Sequence, residues 1–192
     1  MANAQNIWFG QRKSDPKRRF RFILNMNYLD KQGRSTKLPV YYVKTATKPK
    51  ATVSTVEHSF LSYNFKYPGR VTWDNITVTL VDPVSPNMSE VFMEMLIKSG
   101  YQYPNDSNKR TGISKLSATN VTGDVSIDII DGDNNVVETW TLKNAYIASV
   151  DFGGNLDYTS DELSEISVEF AYDWAECAGT TGAQPLSRRA PR

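Results

Sequence analysis

Strict alternation of apolar and polar positions marks the C-terminal part of the chain. Between Ile166 and Trp174 every second residue is apolar, and Glu169 and Asp173 are among the residues in between. A period of two predicts a β-strand with one buried and one solvated face. A sheet of such strands leaves open edges, which a protein must cover, charge or pair with a neighbour.

The N-terminal half has the same alternation. It predicts a strand from Phe20 to Tyr28, a hairpin turn at Asp30 to Gly33, and a second strand through Leu38, Val40 and Tyr42 that ends at Lys48-Pro49. From Ala51 to Val81 the sequence is a Thr-, Val- and aromatic-rich β region. Its sharpest predicted turn is Tyr67-Pro68-Gly69-Arg70, because Pro presets φ and Gly accepts a positive φ, as a type II turn requires.

One helix is predicted between Asn87 and Gly100. Asn87 is a favourable N-cap, Glu90 follows three residues later as in a capping box, and Gly100 is a typical C-terminal residue. The intervening apolar residues recur at helical spacing, which predicts a buried stripe in which methionine fills the core. The stripe consists of Met88, Val91, Phe92, Met95 and Leu96.

Further strands are predicted around the Asp131–Asn135 turn, from Ala145 to Phe152, and after the turn at Gly153 to Asn155. The fold class is therefore mainly β with one helix. The expected organisation is an N-terminal arm at residues 1–17, a β domain at 18–176 and a C-terminal tail at 177–192, because both ends hold little that could form a core.

Composition excludes several classes of protein. The 192 residues carry a formal net charge of +1, which argues against a dedicated nucleic-acid binder. A single cysteine, Cys177, excludes an internal disulfide. The polar start of the chain argues against a signal peptide, and no apolar run approaches the ~20 residues needed to span a bilayer. We expect a soluble protein made in the cytoplasm, with no membrane partner.

Motifs for catalysis are missing from the sequence. Gly153-Gly154 lacks the Lys and Ser of a phosphate-binding loop, no G-x-S-x-G motif occurs, and His58 is the only histidine. The segment Asp131–Asn135 is similar to a calcium loop, but its glycine is misplaced and the final glutamate ligand is missing, so we expect a turn. The sequence therefore predicts no enzyme, no cofactor and no metal site.

Two segments, Arg70 to Asp82 and Leu156 to Trp174, resemble the tail tube proteins of contractile-tailed (T4-like) bacteriophages. The order of elements agrees as well: an early Arg/Phe strand at Arg18 to Asn27, the Trp-containing central strand, a helix, and a strand ending in Tyr172-Asp173-Trp174. The resemblance covers about Arg18 to Glu176. The basic N-terminal arm and the tail after Cys177 depart from the family pattern.

The resemblance implies two packed antiparallel sheets, a β-sandwich or half-barrel, flanked by one helix and closing into a shared barrel in a hexameric ring. Stacked rings would form the inner tube that conducts the genome during ejection. The implied partners are further copies of the chain, the tail sheath protein, baseplate and tube-terminator proteins, and passing DNA. The implied location is the virion tail, assembled in the host cytoplasm.

Three alternatives stay open at this point. The chain could be a baseplate tube-initiator, a bacterial secretion-tube subunit, or, from another class, a nucleic-acid-binding β-barrel. The last rests on Arg18, Arg19 and Arg21 beside Phe20 and Phe22, which combine charge with stacking surfaces. The rest of the chain has no comparable density of basic residues. This favours a basic arm that is solvated or bridges subunits over one that binds nucleic acid.

The candidate functional residues form two groups. Aromatic residues are enriched at interface anchors, and the basic arm is a natural clamp on a neighbour. The expected inter-subunit or inter-ring contacts are Trp8, Phe9, Arg18, Arg19, Phe60, Tyr63, Phe65, Tyr67, Pro68 and Gly69. DNA must slide without being held by counterion release, so acidic or neutral residues should face the lumen. The candidates are Asp128, Glu169 and Asp173.

Overall fold

The computed structural model describes residues 16–29, 34–104, 112–154 and 156–179. Within these ranges the chain forms two α-helices, a short 3-10 helix at Val40–Tyr42, and twelve strands. The helices are α1 (Met88–Lys98) and α2 (Lys115–Thr122). The strands are β1 (Phe22–Asn25), β2 (Asn27–Leu29), β3 (Ser35–Lys37), β4 (Val43–Ala46), β5 (Lys50–Phe60), β6 (Tyr63–Asp74), β7 (Ile76–Val81), β8 (Val125–Ile130), β9 (Val136–Lys143), β10 (Tyr146–Asp151), β11 (Glu165–Ala171) and β12 (Trp174–Gly179).

Two four-stranded antiparallel sheets enclose the core. The first sheet has the order β1-β8-β9-β12 and the second sheet has the order β10-β11-β7-β4. Leu24 lies opposite Ile127 in the first sheet, and Val168 lies opposite Val78 in the second. All four side chains are at most 2% exposed and belong to one apolar cluster. The prediction of a mainly β fold with antiparallel sheets is confirmed.

The last predicted strand is divided between the two sheets. The alternation holds in β11, where Ile166, Val168 and Phe170 are buried, but the chain then leaves the second sheet and joins the edge of the first at Trp174. Tyr172 stays buried at this crossing, whereas Trp174 is 44% exposed. The prediction of one continuous strand was wrong, because a period of two does not reveal a change of sheet. Strand β12 continues to Gly179.

The N-terminal strands are also shorter than predicted. Phe20 to Tyr28 forms β1 and then β2, which pairs with β3 in a small sheet of its own. The predicted second strand is replaced by β3, the 3-10 helix and β4, because Pro39 has no N–H for a ladder and holds φ at −64°. The predicted turn at Asp30 to Gly33 lies outside the described residues.

Helix α1 matches its prediction. The side chain of Asn87 accepts a hydrogen bond from the Glu90 N–H, and Gly100 has a φ of +113° just after the helix. Met88, Phe92 and Met95 are fully buried between helix and sheets. The predicted role of the methionines as core residues is confirmed.

The expectation of a single flanking helix was wrong. Helix α2 is short and has a weak apolar stripe, because only Ala118 and Val121 among its apolar residues are buried. Its start is fixed by a capping box in which Ser114 and Ser117 each accept from the other's backbone N–H. Serine replaces the more usual Glu or Gln in this motif, so the sequence signal was faint.

The predicted turn at Tyr67 to Arg70 was also wrong. Strands β5 and β6 form one long hairpin that turns at Leu61-Ser62, where Leu61 has a φ of +53°. Pro68 and Gly69 lie inside β6, beside a bulge that shifts the register between Val53 and Thr55. Gly69 suits this close approach, because a Cβ on it would lie 2.3 Å from Ser54 Oγ and 3.1 Å from the Ser54 carbonyl oxygen, so the Ser54 side chain would have to move.

Candidate assembly interface

The β5–β6 hairpin stands apart from the two large sheets. Its strands pair only with each other in a separate two-stranded sheet, and all residues from Lys50 to Asp74 are exposed except the half-buried Trp73. At ~3.3 Å per residue the 11 residues of β5 extend about 36 Å. An isolated hairpin is marginally stable in water, so this one is suited to a partner surface.

One face of the outer hairpin is apolar. The register places Val56 opposite Tyr67, His58 opposite Phe65, and Phe60 opposite Tyr63. Directly opposed residues share a face of a sheet. The five apolar and aromatic side chains among them are between 48% (Phe65) and 69% (Tyr63) exposed. The surface near the tip of the hairpin therefore includes four of the predicted contact residues: Phe60, Tyr63, Phe65 and Tyr67.

The other face of the hairpin is polar. Glu57 and Lys66 form an ion pair of 3.4 Å across the strands, and Ser59 lies opposite Asn64. The ion pair is exposed, so it adds little to stability. It does distinguish the two faces: the apolar face can bind a partner while the polar face remains in water.

The base of the hairpin is anchored to the sandwich. The Tyr172 hydroxyl donates to the Asp74 carbonyl at 2.8 Å, and the rings of Trp73 and Tyr172 have centroids 6.1 Å apart. Lys50 and Asp74 form an ion pair of 2.8 Å at the same place. The direction in which the hairpin leaves the sandwich is therefore set by the buried Tyr172 and the half-buried Trp73, with the exposed Lys50–Asp74 pair beside them.

A basic cavity lies at the same end of the molecule. Glu138, which is 9% exposed, accepts hydrogen bonds from Lys17, from Lys48 (2.6 Å) and from Trp140 Nε1. Burial raises the pKa of Glu138, but these bonds outweigh it and lower the pKa to about 2. The cavity beside this cluster has a volume of about 400 Å³ and is lined by Lys17, Arg18, Arg19, Phe22, Ala46, Lys48, Ile127 and Ile129.

Sequence reasoning found only part of this cluster. Arg18 and Arg19 were predicted contact residues, and both line the cavity. Glu138 and Lys48 were not predicted, because they are distant in sequence and nothing near Glu138 distinguishes it from a solvated strand residue. Trp8 and Phe9 lie outside the described residues.

The three lumen candidates lie on different surfaces. Asp128 is on the outer face of the first sheet, where it accepts hydrogen bonds from Asn25 and Thr139, both at 2.6 Å. Glu169 is on the outer face of the second sheet and accepts from Asn75 at 3.0 Å. Because the sheets share one core, these two outer faces point away from each other.

Asp173 lies at the crossing between the sheets. It accepts hydrogen bonds of 2.7 Å from Lys115 and from Asn144. The hydrogen bond from Lys115 is the main reason why the pKa of Asp173 is lowered, and the bond from Asn144 adds to it. Asp173 thus joins helix α2 to the segment between β9 and β10, and its charge is largely balanced.

Strand edges are the remaining surfaces that could pair. The first sheet ends in β1 and β12, and the second sheet ends in β10 and β4. An unpaired edge presents backbone N–H and C=O groups that can extend a sheet into a neighbouring copy. Within the described part of the chain, each large sheet therefore has two edge strands that a neighbouring chain could extend.

The Asp131 loop is a turn, as predicted. Its carboxylate accepts from the backbone N–H groups of Asp133 and Asn135, both at 2.9 Å, and the hydrogen bonds from Asn135 chiefly lower its pKa. Among the residues that the structure describes, no group of three or more His, Cys, Asp or Glu could hold a metal ion. None of the described helices is long and apolar enough to span a bilayer.

The fold is similar to chains in contractile injection systems. No family model and no curated protein sequence matches the chain. A chain in the cryo-EM structure of the anti-feeding prophage baseplate aligns with a TM-score of 0.63 at 16% identity, over 88% of this chain and 99% of that one. A chain in the extended sheath-tube complex of the extracellular contractile injection system PVC gives 0.60 at 16% identity, over 93% and 99%.

A third solved structure belongs to the end of such a tube. A chain in the anti-feeding prophage cap, which terminates the tube, aligns with a TM-score of 0.59 at 18% identity, over 86% of this chain and 93% of that one. The likeness to tail tube proteins that the sequence indicates is therefore confirmed at the level of the fold. The chain has the fold of tail-tube-type proteins of contractile systems.

Proposed function

We propose that the chain is a structural subunit of the inner tube of a contractile tail, and more specifically of a bacteriophage tail that conducts the genome during ejection. The observation that carries the proposal is the exposed apolar face of the β5–β6 hairpin on a tube-type fold. Large exposed apolar surfaces mark interaction sites on soluble proteins. The role is mechanical and needs no catalytic residue.

Ring formation would use the sheet edges. Pairing of an edge strand with a neighbouring copy is a heterologous contact, and such contacts generate a ring when their rotation closes. Closure into a hexameric ring would join the four-stranded sheets of successive subunits into a shared barrel without edges.

Ring stacking would use the hairpin. A two-stranded arm of about 36 Å is long enough to reach a subunit of the adjacent ring. Its apolar face, centred on Phe60, Tyr63 and Phe65, would be buried against that subunit, while Glu57 and Lys66 stay in water. Pro68 and Gly69 would act by shaping the strand rather than by direct contact.

The lumen would be lined by one outer face of the sandwich. Asp128 and Glu169 point in opposite directions, so only one of them can face the pore. Asp173 is balanced by Lys115 and remains a candidate at the rim. A pore with acidic or neutral walls would let DNA slide, whereas a continuous ring of Lys and Arg would contradict this part of the proposal.

A second candidate is a protein that begins or ends the tube. The similarity to chains of the anti-feeding prophage baseplate and cap favours it, because this chain aligns about as well with them as with a chain of the sheath-tube complex. Electron microscopy of the purified protein tests both candidates. A tube subunit gives stacked rings or filaments, a terminal protein gives single rings, and a protein that stays monomeric contradicts both.

A further inference from the structure

The two ends of the second sheet carry surfaces of opposite character. At one end, β4 finishes at Ala46 and β7 begins at Ile76, next to the base of the hairpin and the basic cavity. At the other end, Val81 pairs with Glu165, and the Asp82 N–H donates to the Ser164 carbonyl at 2.9 Å. The six residues of β7 separate these ends by roughly 20 Å.

Two cations at the basic end have no acidic partner among the described residues. Lys17 and Lys48 are held by Glu138, but Arg18 and Arg19 form no ion pair with any described residue. The floor of the cavity is apolar and includes Phe22 and Ile129. A guanidinium binds a carboxylate through two parallel hydrogen bonds, so this pocket suits an acidic group carried on an apolar body. Even when the negative charge of Glu138 is counted, the net charge around the pocket is positive.

The opposite end of the second sheet carries acidic groups beside exposed apolar side chains. The segment that joins β10 to β11, here called the acidic loop and comprising residues 156–163, carries Asp157, Asp161 and Glu162. None of the three forms an ion pair within the described chain, although Glu162 lies near Lys44. Exposed apolar side chains alternate with these acids: Leu156 (95%), Tyr158 (fully exposed) and Leu163 (70%).

Local structure holds the acidic loop in a defined shape. Asp157 accepts hydrogen bonds from the backbone N–H and the hydroxyl of Thr159, at 2.9 and 2.8 Å, and Ser160 Oγ accepts from the Glu162 N–H at 3.2 Å. The bond from the Thr159 N–H is the main reason that the pKa of Asp157 is lowered. The loop is therefore a preformed anionic surface with apolar side chains outward, which lowers the entropic cost of binding.

We propose that the acidic loop of one subunit docks into the basic cavity of a second copy of this chain in the next ring. The proposal rests on the tube function above, and it adds to the hairpin a charged contact that gives the stack its direction. Cavity and hairpin lie at one end of the subunit and the loop at the other, so each ring offers unlike faces. Like-charge contact would oppose head-to-head stacking.

Charge reversal on both sides tests the docking. R18E/R19E reverses the pocket, and D161K/E162K reverses the loop. Each variant alone should form rings but tubes at least about tenfold shorter than the parent, because like charges then face each other at every contact between rings. A mixture of the two variants should form long tubes again, since each reversed pocket then meets a reversed loop. Tube length is measured by negative-stain electron microscopy.

Matched controls preserve the charge. R18K/R19K and D161E/E162D should stack like the parent, and circular dichroism checks that every variant is folded. Normal tubes from both reversed variants, or reversed variants that stay short when mixed, would overturn the docking while leaving the tube function intact. A parent protein that never forms rings would instead contradict the tube function itself.

Discussion

Phe60 and Tyr63 lie directly opposite each other at the tip of the β5–β6 hairpin, and both are more than half exposed. An aromatic cross-strand pair stabilises a hairpin, but here the pair also leaves a large apolar surface in water. The Leu61 side chain beside it is 87% exposed. A surface of this kind is explained by a partner that covers it, and the proposed partner is a subunit of the adjacent ring.

Replacing this pair should block stacking without unfolding the subunit. F60S/Y63S removes the apolar tip, so we expect rings but not tubes by negative-stain electron microscopy. S59A/N64A changes the opposite, polar face of the same two strands and serves as the matched control, with tubes of normal length. Normal tubes from F60S/Y63S would show that the tip lies outside the inter-ring contact.

Gly69→Val should distort the hairpin and shorten the tubes. The reason is the Ser54 hydroxyl, which would lie 2.3 Å from the new Cβ and which accepts a hydrogen bond from the Arg70 N–H at 2.9 Å. We expect the circular dichroism spectrum of the sandwich to be retained. Gly69→Ala should be milder, and S54G/G69A should recover most of the tube length because the colliding hydroxyl is gone. A G69V variant with normal tubes would contradict this role.

Phe92→Ala should destabilise the subunit by roughly 3–5 kcal/mol, the usual loss for a fully buried phenylalanine. Phe92 is 0% exposed and packs in the core with Met88 and Met95. The measurement is the free energy of unfolding in urea. Ile97→Ala on the same helix is the control, because Ile97 is 40% exposed and should cost far less. Equal losses for both variants would refute the assigned burial.

Glu138 should make the stability depend on pH below about pH 4.5. Its pKa falls from an ordinary 4.5 to about 2 in the folded state, so the folded protein binds fewer protons than the unfolded chain across that window. The stabilisation is fully present above pH 4.5 and is lost as the pH falls towards 2. This contribution to the free energy of unfolding is roughly 2–3 kcal/mol, once the effect of the half-exposed Lys17 and Lys48 is reduced for screening by solvent.

Glu138→Gln should remove this dependence. The variant should be less stable than the parent at pH 7, and the difference should shrink as the pH falls from 5 towards 2. Urea unfolding at several pH values measures it. Glu176→Gln is the control: the Trp174 indole mainly lowers its pKa, but the side chain is exposed and should change stability little. A constant difference at all pH values would contradict the proposed charge cluster.

The fold was predictable where a pattern of apolar and polar residues lay within a single strand or helix. The alternation in β7 and β11 and the cap of helix α1 were sufficient for Ile76, Val168 and Asn87 to be placed correctly. The crossing was not, since Tyr172 and Trp174 continue the same alternation although the strand of the second sheet ends at Ala171 and Trp174 begins a strand of the first. Local sequence does not specify which sheet a strand joins.

The candidate interface was predictable in composition but not in geometry. An excess of aromatic residues pointed to Phe60, Tyr63, Phe65 and Tyr67, and the structure places them on one face. Pro68-Gly69 has the composition of a turn, yet both residues lie inside strand β6, where Gly69 is close to Ser54 of β5. The cluster around Glu138 brings together residues that are 90 (Lys48) and 121 (Lys17) positions away from it in the chain, which no local pattern reveals.

Tube formation by this chain is measured by negative-stain electron microscopy of the purified protein. The protein is imaged over a range of concentrations, alone and with a baseplate initiator ring from the same system. We expect rings that stack into hollow filaments, with the initiator promoting growth. A protein that remains strictly monomeric at high concentration, with the initiator supplied, would contradict it.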